Sequence, residues 1–188
     1  DTTASPLNPA NKDFSFFVYG TLPLFMLRYA GEWTGQTGYD LNTLLGRTMS
    51  AAMDTLTILL IFLTAKKLFN RWIGLIAAAL YAFAVLPIQL AHYMTVDSFT
   101  NTFAMLTVLI AAEILMRKPL SAEEESGKVI RIWKEIWPYL AFGAALGMAT
   151  ASKINAVSLA LLLPLVEGVR YFRQEDEGNE PSLRMIIG

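Results

Sequence analysis

The chain has 188 residues and a formal net charge of −1, with 54% hydrophobic residues, only 16% charged residues and a mean hydropathy of +0.43. Soluble domains carry about 25% charged residues, so this composition indicates a membrane protein, and the near-zero charge argues against a nucleic-acid partner. The sequence has no cysteine, which excludes a disulfide framework and thiolate metal sites.

Residues 1–13 are polar and rich in proline and asparagine, without the pattern of a signal peptide. Residues 14–31 (FSFFVYGTLPLFMLRYAG) are apolar but contain Gly20, Pro23 and Arg28. We read them as an amphipathic helix lying on the outer face of the membrane rather than a span, because glycine and proline interrupt the stretch. Five segments then follow that are apolar and close to the roughly 20 residues needed to cross a hydrocarbon core. They are 48–65, 72–91, 95–116, 136–152 and 154–169, the last two separated by the single cation Lys153. Backbone polar groups in lipid must be satisfied within the segment, so these spans are helices. The fold class expected is an all-α polytopic membrane protein with five transmembrane helices and one outer-face helix.

The connections 66–71, 117–135 and 170–184 hold Lys66, Lys67, Arg71, Arg117, Lys118, Lys128, Arg131, Lys134, Arg170, Arg173 and Arg184. The opposite side holds only Lys12, Arg28, Arg47 and Lys153. The positive-inside rule assigns the first set to the cytoplasm. Trp72, Trp133 and Trp137 fall at the cytoplasmic helix ends, as interfacial aromatics do. The acidic run SAEEESGK reads as a solvated cytoplasmic loop, and the closing LRMIIG as the start of another span. The organisation expected is therefore an extracytoplasmic loop with an interfacial helix over 1–46, a helix bundle over 47–170, and a cytoplasmic loop with the start of a further span over 171–188. Both ends read as cut.

Polar residues inside the spans are the candidates for chemistry. Arg47, Ser50 and Asp54 share one helical face. Arg47 lies at the outer boundary, where its planar fork suits a phosphate. Asp54 is either functional or half of an internal ion pair with Arg47 or Lys153, since a lone ionised carboxylate there costs roughly 2.5–3.5 kcal/mol. Lys153 is either a site cation or a snorkelling interfacial lysine. His92 and Asp97 lie in LAHYMTVDSFTN, on the extracytoplasmic side. Glu113 and Arg117 are spaced as a structural i,i+4 pair, and Gly143 with Gly147 forms a GxxxG suited to a close helix contact.

The order GRTMSAAMDTLTILLIFLTAKKLFNRWIGLIAAALYAF, LPIQLAHYMTVDSFTNTFAMLTVL, GAALGMATASKINA resembles the amino-terminal half of the GT-C glycosyltransferases over about residues 14 to 170. Within them it is similar to bacterial relatives of the protein O-mannosyltransferases and aminoarabinose transferases. The stretch FFVYGTLPLFMLRYAG resembles the loop helix with a Pro-Leu motif that precedes their second span. The resemblance implies transfer of a sugar from a polyprenyl-phosphate-linked donor to an acceptor on the extracytoplasmic side, in the cell membrane, with the main catalytic carboxylate upstream of this sequence. By position, Asp97 matches the family's second acidic residue, Lys153 the lysine of a threonine-lysine motif, and Arg47 the arginine opening the second span. GTLPL stands where a lysine and Pro-Pro-Leu are usual, and Ser152 replaces the threonine. The site expected comprises Asp97 as a catalytic carboxylate, Arg47 and Lys153 as lipid-phosphate ligands, and His92 at the rim, with no metal ligand among these residues, no cofactor beyond the donor lipid, and a divalent-metal requirement left open. The partners expected are membrane lipid, that donor and an acceptor of unspecified class. The rival class is a non-enzymatic accessory subunit of a membrane complex, or half of a transporter. Transporters gather charges at the membrane midplane, whereas here most lie toward one face, which favours the transferase.

Overall fold

A computed structural model of the chain describes residues 19–117 and 128–176. Apart from an isolated bridge between Tyr19 and Lys153, the described residues form helices and turns. Helix α1 spans Leu22–Thr34, α2 Tyr39–Leu68, α3 Arg71–Ala82, α4 Val85–Ala91, α5 Val96–Met116 and α6 Lys128–Ser152. A 3-10 segment, Ile154–Leu161, then runs into α7, Leu162–Asp176.

Local sequence explains the boundaries. Pro23 sits in the first turn of α1, where its missing N–H costs nothing, so it opens that helix instead of interrupting it. Gly35 ends α1 at φ 71°, a left-handed position that glycine takes without strain. Gly38 caps α2, and Asp40 in the first turn and Lys66 and Lys67 in the last suit the helix dipole. The Asn70 side chain caps α3 by accepting from the N–H groups of Trp72 and Ile73, both at 3.0 Å.

Among the described residues, Tyr39–Leu68, Val96–Met116 and the combined Ile154–Arg173 are long and apolar enough to cross a membrane. The fourth is the pair α3 and α4 if counted as one broken span, bent by 61°. The expected continuous span 72–91 is therefore two helices. Pro87 stands in the first turn of α4, where a continuing helix would drive its ring into the Phe83 carbonyl. The segment 136–152 lies in α6, which is not among the helices apolar enough to span. Its apolar stretch is diluted by Trp137, Pro138, Tyr139, two glycines, Thr150 and Ser152. The chain is thus an all-α polytopic membrane protein, with three such spans, or up to four by length and composition, among the described residues where five were expected. The division expected at 46/47 falls inside α2, and that at 170/171 inside α7.

Helices α2 and α5 pack side by side and parallel, and three pairs mark the register. The Thr95 N–H donates to Ser50 Oγ at 3.3 Å, Thr57 Oγ1 lies 2.9 Å from Thr102 Oγ1, and Lys67 pairs with Glu113. Small hydroxyl residues suit this seam, because they allow close approach and satisfy their own polar groups by bonding across it or back to a helical carbonyl. Thr57, Thr102, Thr107, Ser50 and Ser98 are all buried. Phe99 and Phe103 of α5 pack with Ala149 and Ala156 in the core nearest the Lys153 end. A second cluster of Ala111, Ile114, Phe142 and Val166 fills the other end. On α1, Phe25, Tyr29 and Trp33 recur every four residues and stay exposed, an aromatic stripe suited to a membrane interface.

Candidate functional site

Lys153 occupies an extended break (φ −154°, ψ 123°) between α6 and the 3-10 segment. The backbone freed by the break is met from outside the helix. The Gly20 N–H donates to the Ser152 carbonyl at 2.9 Å, and Tyr19 bridges Lys153 in antiparallel fashion. Only glycine permits this approach, since a Cβ at position 20 would sit 1.8 Å from the Ala151 oxygen. From the break, Lys153 Nζ reaches Asp97 Oδ1 at 2.6 Å. Asp97 lies in the first turn of α5, where the positive end of the helix favours a carboxylate. The side chains are 28% and 32% exposed, so the pair is partly desolvated yet open to solvent. The Tyr19 ring lies 5.7 Å from the ammonium, adding a cation–π contact.

Arg47, early in α2, donates from Nε to the His92 carbonyl at 2.6 Å and stands 5.8 Å from the Tyr93 ring centroid. Among the described residues that bond engages Nε alone, leaving the terminal NH2 groups of the fork for an acceptor such as a phosphate. His92 meets Arg47 through its backbone, not its ring. Its Nδ1 lies 2.6 Å from the Ile88 carbonyl, which can only accept, so Nδ1 carries the proton. The two halves of the site are joined through the turn between α4 and α5. Ser50, one turn after Arg47, receives the Thr95 N–H two residues before Asp97.

The other intramembrane polar groups pair differently from expectation. Asp54 is bound neither by Arg47 nor by Lys153: the Tyr81 hydroxyl donates to its Oδ1 at 2.9 Å. Glu113 pairs with Lys67 across the α2–α5 seam rather than with Arg117. Arg117 instead donates to the carbonyls of Lys134 and Glu135 at 2.6 and 3.4 Å, tying α5 to the start of α6. A Cβ added at Gly143 or Gly147 meets nothing within 4 Å, so the GxxxG is not a helix contact among the described residues. A close helix-to-helix contact lies instead at Gly74, where an added Cβ would come 2.9 Å from the Phe62 carbonyl.

The structure thus brings Asp97 to Lys153 and Arg47 to the His92 backbone at one end of the bundle. Sequence reasoning missed Tyr19, Tyr93 and Tyr81. The usable signal for Tyr81 was a hydroxyl, with Gln89, alone in a charge-free apolar run. No three His, Asp or Glu side chains converge to hold a metal among the described residues.

Compared with known proteins, residues 39–170 match the family model described as dolichyl-phosphate-mannose-protein mannosyltransferase. No curated protein and no solved structure matches the chain.

Proposed function

The chain belongs to the dolichyl-phosphate-mannose-protein mannosyltransferase family, membrane glycosyltransferases of the GT-C type that use a lipid-linked sugar, and on that premise we propose that its Lys153–Asp97 end binds the head of a polyprenyl-phosphate-linked sugar on the extracytoplasmic side of the cell membrane. The observation that carries the reading is the 2.6 Å pair of Lys153 with Asp97, partly desolvated at the end of the bundle remote from most of the basic residues.

In the transfer, an acceptor hydroxyl attacks the anomeric carbon and gives its proton to a carboxylate base, the bond from that carbon to the phosphate oxygen breaks, and the lipid phosphate leaves with the electron pair. Lys153 and the free fork of Arg47 stabilise the charge that grows on that phosphate, more strongly in a partly desolvated site than in water. Asp97 orders the acceptor or the sugar hydroxyls. It also holds Lys153 in place until phosphate competes for it. The acceptor is a hydroxyl-bearing molecule, and membership of a protein-mannosyltransferase family favours a protein.

The test is transfer of radiolabelled mannose from a polyprenyl-phosphate donor by membranes holding the full-length protein, with Lys153→Ala, Arg47→Ala and Asp97→Asn as variants. Loss of transfer in all three supports the reading. Undiminished transfer in all three, at wild-type protein levels, would remove this end of the bundle from the reaction.

A further inference from the structure

Arg47 and Asp54 are seven residues apart, which places both on one face of α2. Each holds the bent α3–α4 pair on a different side of its 61° bend. Asp54 accepts from the Tyr81 hydroxyl at 2.9 Å, just before the bend at Phe83 and Ala84. Arg47 donates to the His92 carbonyl at 2.6 Å, at the residue that ends α4. Between these two contacts α4 buries none of its residues. Only Pro87, Leu90 and Ala91 are partly buried, so its packing is a weak constraint on its direction, and Pro87 removes the helical continuity that would otherwise fix it. Three residues after Asp54, Thr57 Oγ1 lies 2.9 Å from Thr102 Oγ1 and ties this part of α2 to α5, the helix that carries the site carboxylate.

We infer that the Tyr81–Asp54 hydrogen bond is a positioning device, with Tyr81 and Asp54 as positioning residues that set the bend of α3–α4 and so place the His92–Tyr93 segment against Arg47. This rests on the reading of Arg47 as a phosphate-binding group. The bond needs an acceptor at position 54, not a charge. Asparagine there keeps the clasp, while valine at 54 or phenylalanine at 81 opens it.

The experiment has two arms in the full-length protein. In the first, spin labels at Leu59 of α2 and Leu86 of α4, both exposed, report the distance between those helices. One narrow population is expected for the otherwise unaltered protein and for Asp54→Asn, and a second population for Tyr81→Phe and Asp54→Val. In the second arm, KM for a polyprenyl-phosphate mannose donor is expected to rise roughly threefold in Tyr81→Phe and Asp54→Val with kcat little changed. That factor follows from an average hydrogen bond between membrane helices. Asp54→Asn should stay near wild type. A single unchanged population in Tyr81→Phe overturns the clasp, and so does an Asp54→Asn protein as impaired as Asp54→Val. A shifted population with unchanged KM overturns its link to the donor. The distance arm needs no transfer activity, so failure of the glycosyl-transfer reading is told apart from failure of the clasp.

Discussion

Lys153 and Asp97, 56 residues apart in sequence, meet at 2.6 Å because a helix break and a helix start are brought to the same level of the bundle. The ammonium leaves the break between α6 and the 3-10 segment, and the carboxylate leaves the first turn of α5. Each group therefore reaches its partner from a point where the backbone is not fully satisfied by its own helix, the kind of place where ion sites form in membrane proteins.

Replacing Asp97 by asparagine keeps a polar side chain of the same shape and removes only the charge. Asp97 lies in the first turn, two residues after the N-cap Thr95, so the change costs the fold about 0.3–1 kcal/mol of helix-dipole interaction and the variant should still fold and insert. If the carboxylate acts in transfer, the rate should fall at least about tenfold, equivalent to about 1.4 kcal/mol of barrier. Near-normal turnover in radiolabel transfer would leave Asp97 as a structural partner of Lys153.

Arg47→Ala should weaken donor binding, and Arg47→Lys should restore it only in part. A lysine can keep one contact to the His92 carbonyl but cannot present a planar fork beyond it. Titration with a polyprenyl-phosphate analogue checks this, and full recovery by lysine would mean that a point charge suffices.

Membrane sidedness is testable at two exposed positions that flank the bundle. Cysteines placed at Tyr93 and at Phe69 should react with an impermeant maleimide from opposite faces, Tyr93 from outside. Ser98 is a poor probe despite its place near the turn, because it is buried. Labelling of both from one face would overturn the assignment of the site to the extracytoplasmic side.

The α2–α5 seam should lose a modest amount of stability on Thr102→Val. That change removes the hydroxyl lying 2.9 Å from Thr57 Oγ1 and 2.8 Å from the Met53 carbonyl. Bonds of this kind between membrane helices average about 0.6 kcal/mol and reach about 1.7. Unfolding in mixed micelles would measure it, and no change would mean that Thr57 satisfies itself on its own helix, to which it already donates at Met53.

Much of this architecture was legible in the residues. The apolar runs, the basic connections and the gathering of Arg47, His92, Asp97 and Lys153 toward one side follow from hydropathy and charge alone. Pairings did not. Glu113 is spaced ideally for Arg117 but finds Lys67, because α2 and α5 align in parallel and bring Lys67 to its level. Asp54 finds a phenol rather than a cation for the same reason, since partner choice depends on which helices pack together. The bend was foreseeable: Pro87 sits well inside an apolar run that length alone presents as one helix. Nothing in composition foretold that Gly20 would press on Ser152, because such an approach depends on the chain before α1 returning to the tip of α6.

That approach makes spacing a matter of chemistry as well as sequence. Gly20 is anchored at the Ser152 carbonyl, and the start of α2 is tied to the bundle through Arg47 and Ser50. Helix α1 and its glycine turn thus form a strut of set length between two fixed ends. A single residue inserted into α1 would turn everything beyond it by about 100° around the helix axis. Either the aromatic stripe of Phe25, Tyr29 and Trp33 would rotate off the interface, or the Gly20 contact would slip and carry Tyr19 away from Lys153. Chains built on this plan should therefore tolerate substitutions along the outer face of α1 far better than any change in its length.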